Sequence, residues 1–180
     1  LWCVADAPYW LDRLELIGRG KIRAHRVRVL LANLPRHIAE RECRTIAQHT
    51  GWGEDCFAIE EPRDVCGPGN VVMIELEAEN VTEVCTSFGR IGVKAEDVAL
   101  EALREAEEYL ASDVPVGRHL ADQIMLPLGV GVYFGTGGGA FRTLSLSAHA
   151  TTHLEILRHF LELETKVDHD SRGNCLVQIG

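Results

Sequence analysis

The sequence predicts an α+β protein built as two bodies, and three observations carry that expectation. Strand-like runs of period two alternate with segments of helical period along the chain. Residues 94–110 place Ala95, Val98, Ala99, Ala102, Leu103, Ala106, Tyr109 and Leu110 on one apolar stripe, which reads as a helix. Pro115 then makes residues 113–116 extended, a hinge at which a compact α+β unit over 16–112 ends and the chain returns to another body.

Taken in order, residues 1–7 read as a strand ended by Pro8, followed by a linker through about residue 15. Residues 21–31 form a second strand, with Val27, Val29 and Leu31 alternating against Arg26, Arg28 and Leu30. Asn33 and Pro35 open a helix in which Ile38, Ala39, Cys43, Ile46 and Ala47 recur at helical spacing, and Gly51 and Gly53 stop it. A short strand over 56–60 ends at Pro62. Gly67-Pro68-Gly69 reads as a turn, because neither a Walker pattern nor a following Lys-Ser/Thr supports a phosphate cradle. The strand over 71–77 turns Glu75 and Glu77 away from Ile74, Leu76 and Ala78, and a strand over 81–88 pairs with it or its neighbour. On the long helix, Glu101, Glu105 and Glu108 read as a solvated face.

Beyond the hinge, residues 117–126 form a helix closed by Pro127 and Gly129. Asp122 and Gln123 sit there beside Leu120 and Ile124, a pair able to hydrogen-bond a ligand or to cap a neighbouring strand. Residues 141–146 alternate as a strand, and Thr151 and Thr152 offer N-caps to a helix carrying Leu154, Ile156, Leu157 and Phe160. Residues 164–169 and 175–179 make a hairpin around the polar turn 170–174.

Composition narrows the function classes. A net charge of −9 argues against a protein that holds nucleic acid by bulk electrostatics, while leaving room for one that grips only a strand end. Arg19, Lys21, Arg23, His25, Arg26 and Arg28 cluster, which reads as a solvated face of a sheet. The six cysteines show neither a CxxC nor paired Cys/His spacing, so no zinc site is expected and no residue is assigned to a metal. No signal peptide or membrane-length apolar run is visible, and the expectation is a cytoplasmic protein with free thiols and no membrane partner.

His149 falls in the turn between the strand and the helix that follows, where a side chain projects from a fixed backbone without being covered by its own element. A lone histidine is ordinarily a surface or satisfied core residue, and His153 and His159 fit that description on the helix. What sets His149 apart is its company. The runs GRHLADQIMLPLGVG (117–131), GGGAFRT (137–143) and SAHATTHLEILRHFL (147–161) follow one another, preceded by LPRHIAERE (34–42), GPGNVV (67–72) and ENVTE (79–83). In order and spacing these resemble the C-terminal half of the RNA 3′-terminal phosphate cyclases, with residues 132–138 making one loop a few residues longer.

That resemblance implies a core of repeated helix-and-sheet units, here partial and formed by 1–15 and 113–180, with 16–112 as a smaller inserted α+β domain. It implies ATP-dependent conversion of an RNA 3′-terminal phosphate to a 2′,3′-cyclic phosphate. His149 matches the histidine that becomes adenylated, Asp122 and Gln123 match the nucleotide-site helix, and His119 falls where a flat side chain packs near adenine. Imidazole suits the task, since its ordinary pKa of about 6.5 leaves a neutral nucleophile near pH 7. Mg²⁺ or another divalent cation would offset triphosphate charge. The partners implied are ATP, an RNA 3′-phosphate end and the N-terminal half of the same protein, without which this chain is expected to be weakly active or inactive. Two other classes stand beside this one. One is the non-catalytic cyclase-like ribosome-assembly factor, against which His149 argues; the other is an interaction module in which His149 is incidental.

Overall fold

The structure, a computed structural model, describes residues 11–180, so the strand expected over 1–7 lies outside the described residues. In chain order the elements begin with β1 (Leu14–Leu16), β2 (Ile22–Ala32), α1 (His37–Thr50), β3 (Phe57–Glu60) and β4 (Gly69–Ala78). They continue with β5 (Thr82–Phe88), α2 (Ala95–Ala111), α3 (Arg118–Tyr133), β6 (Gly139–Thr143), α4 (Ala148–Leu161), β7 (Thr165–His169) and β8 (Cys175–Ile179). Helices and mixed sheets make the chain α+β. The described residues divide into two compact units, one of residues 11–19 with Val114–Gly180, the other Gly20–Asp113. Among the described residues no helix is long and apolar enough to cross a membrane.

The unit Gly20–Asp113 holds a four-stranded sheet in the order β3-β2-β4-β5. β2 runs parallel to β3 and antiparallel to β4, and β4 pairs antiparallel with β5. Strict alternation builds its core: Val27, Val29 and Leu31 of β2 and Val72, Ile74 and Leu76 of β4 point to one face. There they meet Ala39 and Ile46 of α1 and the stripe of α2, of which Ala95, Val98, Ala99, Ala102, Leu103, Ala106 and Tyr109 are buried. Each side chain fully removed from water in such a core stabilises the fold by about 1.5–3 kcal/mol. The basic cluster on β2 is largely engaged. Arg28 bonds Glu60 through Nε at 2.8 Å and Glu75 through Nη1 at 2.9 Å, Arg23 lies 4.0 Å from Glu79, and His25 stacks on Trp52. Glu101 does more than face solvent, since it accepts hydrogen bonds from Ser87 Oγ and Arg90 Nη2 and so ties α2 to the end of β5.

The second unit carries a sheet in the order β1-β6-β8-β7, with β1 parallel to β6 and the remaining pairs antiparallel. α3 and α4 pack on it around Phe141, Val177 and Ile179. β1 lies where a linker was expected: its three residues are too few to show a period, and β6 supplies its pairing from far along the chain. Gly139 makes that pairing possible. It sits at φ 142°, and a Cβ there would lie 2.0 Å from the Leu14 carbonyl oxygen. The expected hinge is also docked, because Val114, Pro115 and Val116 are buried and the Val116 N–H donates to the Arg142 carbonyl at 3.3 Å.

α3 does not stop at Pro127 and Gly129 but runs on to Tyr133. Pro127 lies on the exposed side of the helix beyond Gln123, where water can take the carbonyl whose partner N–H proline lacks. Gly129 and Gly131 are buried, and their small size serves packing rather than termination: a Cβ on Gly129 would lie 2.8 Å from Leu157 Cδ2 of α4.

Candidate active site

α3 and α4 place the residues singled out from the sequence. His119, Asp122 and Gln123 follow one another at i, i+3 and i+4, so one face of α3 presents all three. His119 and Gln123 are exposed and Asp122 is half-buried. The face behind them carries Ala121, Met125 and Leu128 into the core shared with Ala150, Leu154 and Leu157 of α4. Burial of that stripe fixes the rotation of α3, and with it the direction of Asp122.

α4 begins earlier than Thr151. Its N-cap is Ser147, whose Oγ accepts the Ala150 N–H at 3.1 Å, while the Thr151 hydroxyl donates back to the Ser147 carbonyl at 3.1 Å. β6 stops at Thr143, and a bend at Leu144–Ser145 spends the residues that prolonged the apparent alternation. His149 therefore stands in the first turn of α4 rather than in the preceding turn. It is exposed, and among the described residues its ring makes no hydrogen bond. The first turn of a helix carries unpaired N–H groups and the positive end of the macrodipole, surroundings that favour an anionic phosphate.

One helical turn further on, His153 Nδ1 lies 3.1 Å from Asp122 Oδ1. A carboxylate oxygen only accepts, so Nδ1 carries the proton of this bond. The pair joins α4 to α3 and anchors Asp122 on the side where His149 and His153 share a helix face at i and i+4. Sequence reading passed over His153; the signal able to reveal it was its spacing of four from His149. Beside the start of α4 a cavity of about 350 Å³ is lined by Ser145, Thr151, Glu155, Arg158 and His169, and its walls include neither His149 nor Asp122. Below it Asp170 closes the β7–β8 turn. Its carboxyl is held below the usual range by the Asn174 side chain, with Arg142 Nη2 3.8 Å away. Among the described residues no group of three His, Cys, Asp or Glu side chains could hold a metal ion.

Fold and site together define a class: a two-unit α+β protein with an exposed histidine at a helix start and, one turn further along that helix, a second histidine bonded to a carboxylate of the neighbouring helix. The family model described as "RNA 3′-terminal phosphate cyclase (RTC), insert domain" matches residues 17–111, more than half of the chain, and the chain belongs to this family. Relatives named RNA 3′-terminal phosphate cyclase cover nearly all of it. One from Koribacter versatilis (strain Ellin345) is 39% identical over 165 residues, 92% of this chain and 44% of its own length. One from Ectopseudomonas mendocina (strain ymp) is 36% identical over 157 residues, 87% of this chain and 45% of its own length. A third, from Salmonella paratyphi C (strain RKS4594), is 37% identical over 177 residues, 98% of this chain and 49% of its own length. The chain thus spans about half the length of the relatives it matches.

Proposed function

We propose that this chain supplies the nucleophile and part of the nucleotide site of an ATP-dependent RNA 3′-terminal phosphate cyclase. The observation that carries the reading is His149, exposed in the first turn of α4, one turn from the His153–Asp122 pair. One imidazole nitrogen attacks the α-phosphorus of ATP, forms the N–P bond and expels pyrophosphate; the proton leaves through the other nitrogen. A terminal RNA phosphate oxygen then attacks that phosphorus and releases the histidine. The adjacent 2′-hydroxyl attacks the RNA phosphorus, closing the 2′,3′-cyclic phosphate and expelling AMP. The last step is intramolecular, so positioning supplies much of its rate.

In this reading residues 1–15 and 113–180 belong to the catalytic core and 16–112 form an inserted domain. Asp122 and Gln123 bind the nucleotide and His119 packs near adenine. Mg²⁺ or another divalent cation accompanies the triphosphate, and no step is routed through a metal held by this chain. The groups that clasp the triphosphate lie in the half of the relatives that this chain does not span, which makes that half its partner, beside ATP and the RNA end. The ATP and RNA requirement fits the cytoplasm. The test is intact mass after incubation with ATP and Mg²⁺ at neutral pH, on the chain joined to such an N-terminal half. An acid-labile gain of one AMP, lost in His149→Asn, is expected; uptake that survives the substitution, or no uptake at all, refutes the assignment.

A further inference from the structure

The bond between His153 and Asp122 is set by the packing beneath it and leaves one oxygen of the carboxylate unused. Ala150, Leu154 and Leu157 of α4 share one core with Ala121, Met125 and Leu128 of α3. Gly129 lets the two helices come close, since a Cβ there would lie 2.8 Å from Leu157 Cδ2. Held between them, the His153 side chain is only 23% exposed, and its Nδ1 lies 3.1 Å from Asp122 Oδ1. The Asp122 side chain is 41% exposed, and among the described residues its second oxygen, Oδ2, has no partner. An aspartate on a helix surface moves among several staggered rotamers, and a ligand that needs one of them must freeze it. A donor from the neighbouring helix removes that freedom before the ligand arrives.

What Oδ2 can take follows from its charge. A carboxylate only accepts hydrogen bonds, and it repels phosphate oxygens. Its partner is therefore a hydroxyl or amino group on the nucleoside end of ATP, away from the triphosphate. We propose that His153 is a positioning residue of the adenylation site, whose Nδ1–H pins Asp122 so that Oδ2 is preset to accept an O–H or N–H donor of the nucleoside. The inference deepens the reading of His149 as nucleophile and rests on it for the identity of the nucleotide. His149 and His153 lie at i and i+4 on α4, so the nucleophile and the residue that orients the carboxylate share one side of the helix. His153 acts through Asp122 and not on the reacting atoms.

The test uses the chain joined to an N-terminal half of the kind its relatives carry, with the AMP adduct read by mass against ATP concentration. His153→Leu is expected to raise the ATP concentration for half-maximal adduct formation about tenfold, with the rate at saturating ATP unchanged within about twofold. His153→Asn and His153→Asp decide whether the donor is the cause, and they do so even if leucine disturbs the packing. The two match in size, and an asparagine Nδ2 falls near the place of the imidazole Nδ1, but an aspartate cannot donate and repels Asp122. Asparagine should keep the wild-type ATP dependence within about twofold, and aspartate should lose at least as much as leucine. In an Asp122→Ala background, His153→Leu should add less than about twofold, because the residue it acts through is gone. ATP analogues without the 2′-hydroxyl, the 3′-hydroxyl or the 6-amino group separate the sources of the donor. The analogue that lacks it should show no dependence on residue 153. Asparagine as poor as aspartate, a full effect of His153→Leu in the Asp122→Ala background, or the same dependence with all three analogues would each overturn the proposal. Adduct formation on His149 that ignores residue 153 would refute the positioning role and leave the nucleophile standing, whereas no adduct on the unaltered protein would refute both.

Discussion

Glu42 offers the sharpest test of the energetics, because replacing it by glutamine removes a charge and changes little else. Its carboxyl is raised from an ordinary 4.5 to about 7, chiefly by desolvation, with the Asn70 hydrogen bond and Arg41 opposing the shift and Glu96 adding to it. The folded protein therefore binds a proton that the unfolded chain releases between those values. Stability falls as pH rises through that window, by about 1.4 kcal/mol for each pH unit. Protonated Glu42 costs little below about 4.5, and above about 7 the full penalty of a buried carboxylate is present, about 3 kcal/mol. Glutamine stays neutral throughout. Its Oε1 can still accept from Asn70 Nδ2, and its Nε2 can donate to the Asn70 Oδ1 that has no partner now.

Glu42→Gln is therefore expected to stabilise the Gly20–Asp113 unit by about 1 kcal/mol at pH 5 and about 3 kcal/mol at pH 8. Two compact units need not unfold together, so a single melting curve would blend them. Hydrogen exchange of peptides from α1 and β4, measured for both proteins at the same pH, isolates the unit and cancels the other titrating groups. A difference that stays flat between pH 5 and 8 would refute the assignment of the cost to the buried charge. A glutamine variant less stable at pH 8 would show that the carboxylate is answered within the fold.

Two further outcomes follow from the same geometry. Gly139→Ala should cost about 3 kcal/mol or more, because the new methyl meets the Leu14 backbone and the residue is held at φ 142°; loss of exchange protection in β1 and β6, ahead of the rest of the chain, is the measurement. Arg41→Met should return the Glu96 carboxyl from about 2 toward its ordinary value, since the Arg41 fork is the main cause of that depression. The interaction it removes is present above the ordinary carboxylate range and lost as pH falls toward 2, so an unchanged Glu96 titration by NMR would refute the cause.

Where an element's burial is continuous and local, the sequence was legible. The α2 stripe from Ala95 to Tyr109 and the alternation of β4 from Val72 to Ala78 can each be read without a neighbour, because the buried face of each is apolar over that span. Legibility failed where a distant partner changes what a residue is for. Gly129 signals a helix end until Leu157 arrives from α4 and needs the space; Leu14 to Leu16 look like linker until β6 pairs with them. Ser147 and Thr151 are both competent N-caps, and only the bend after β6 decides between them.

The same distinction applies to the site residues and to Glu42. His149 stood out by its place in a run of motifs, but the contact that orders its surroundings, His153 to Asp122, joins residues on different helices and has no local signature beyond a spacing of four. Glu42 shows the limit more plainly. It interrupts the buried stripe of α1 at helical spacing, which reads as a charge on the margin of an amphipathic helix. Its meaning depends on Asn70 from β4, the turn at Pro68 and the loop at Val93, segments brought to one cavity only by the order β2-β4-β5 and the return of α2. A carboxyl placed there against its own solvation, with one oxygen answered and one not, is costly for the fold, and that cost is the one the Glu42→Gln comparison measures.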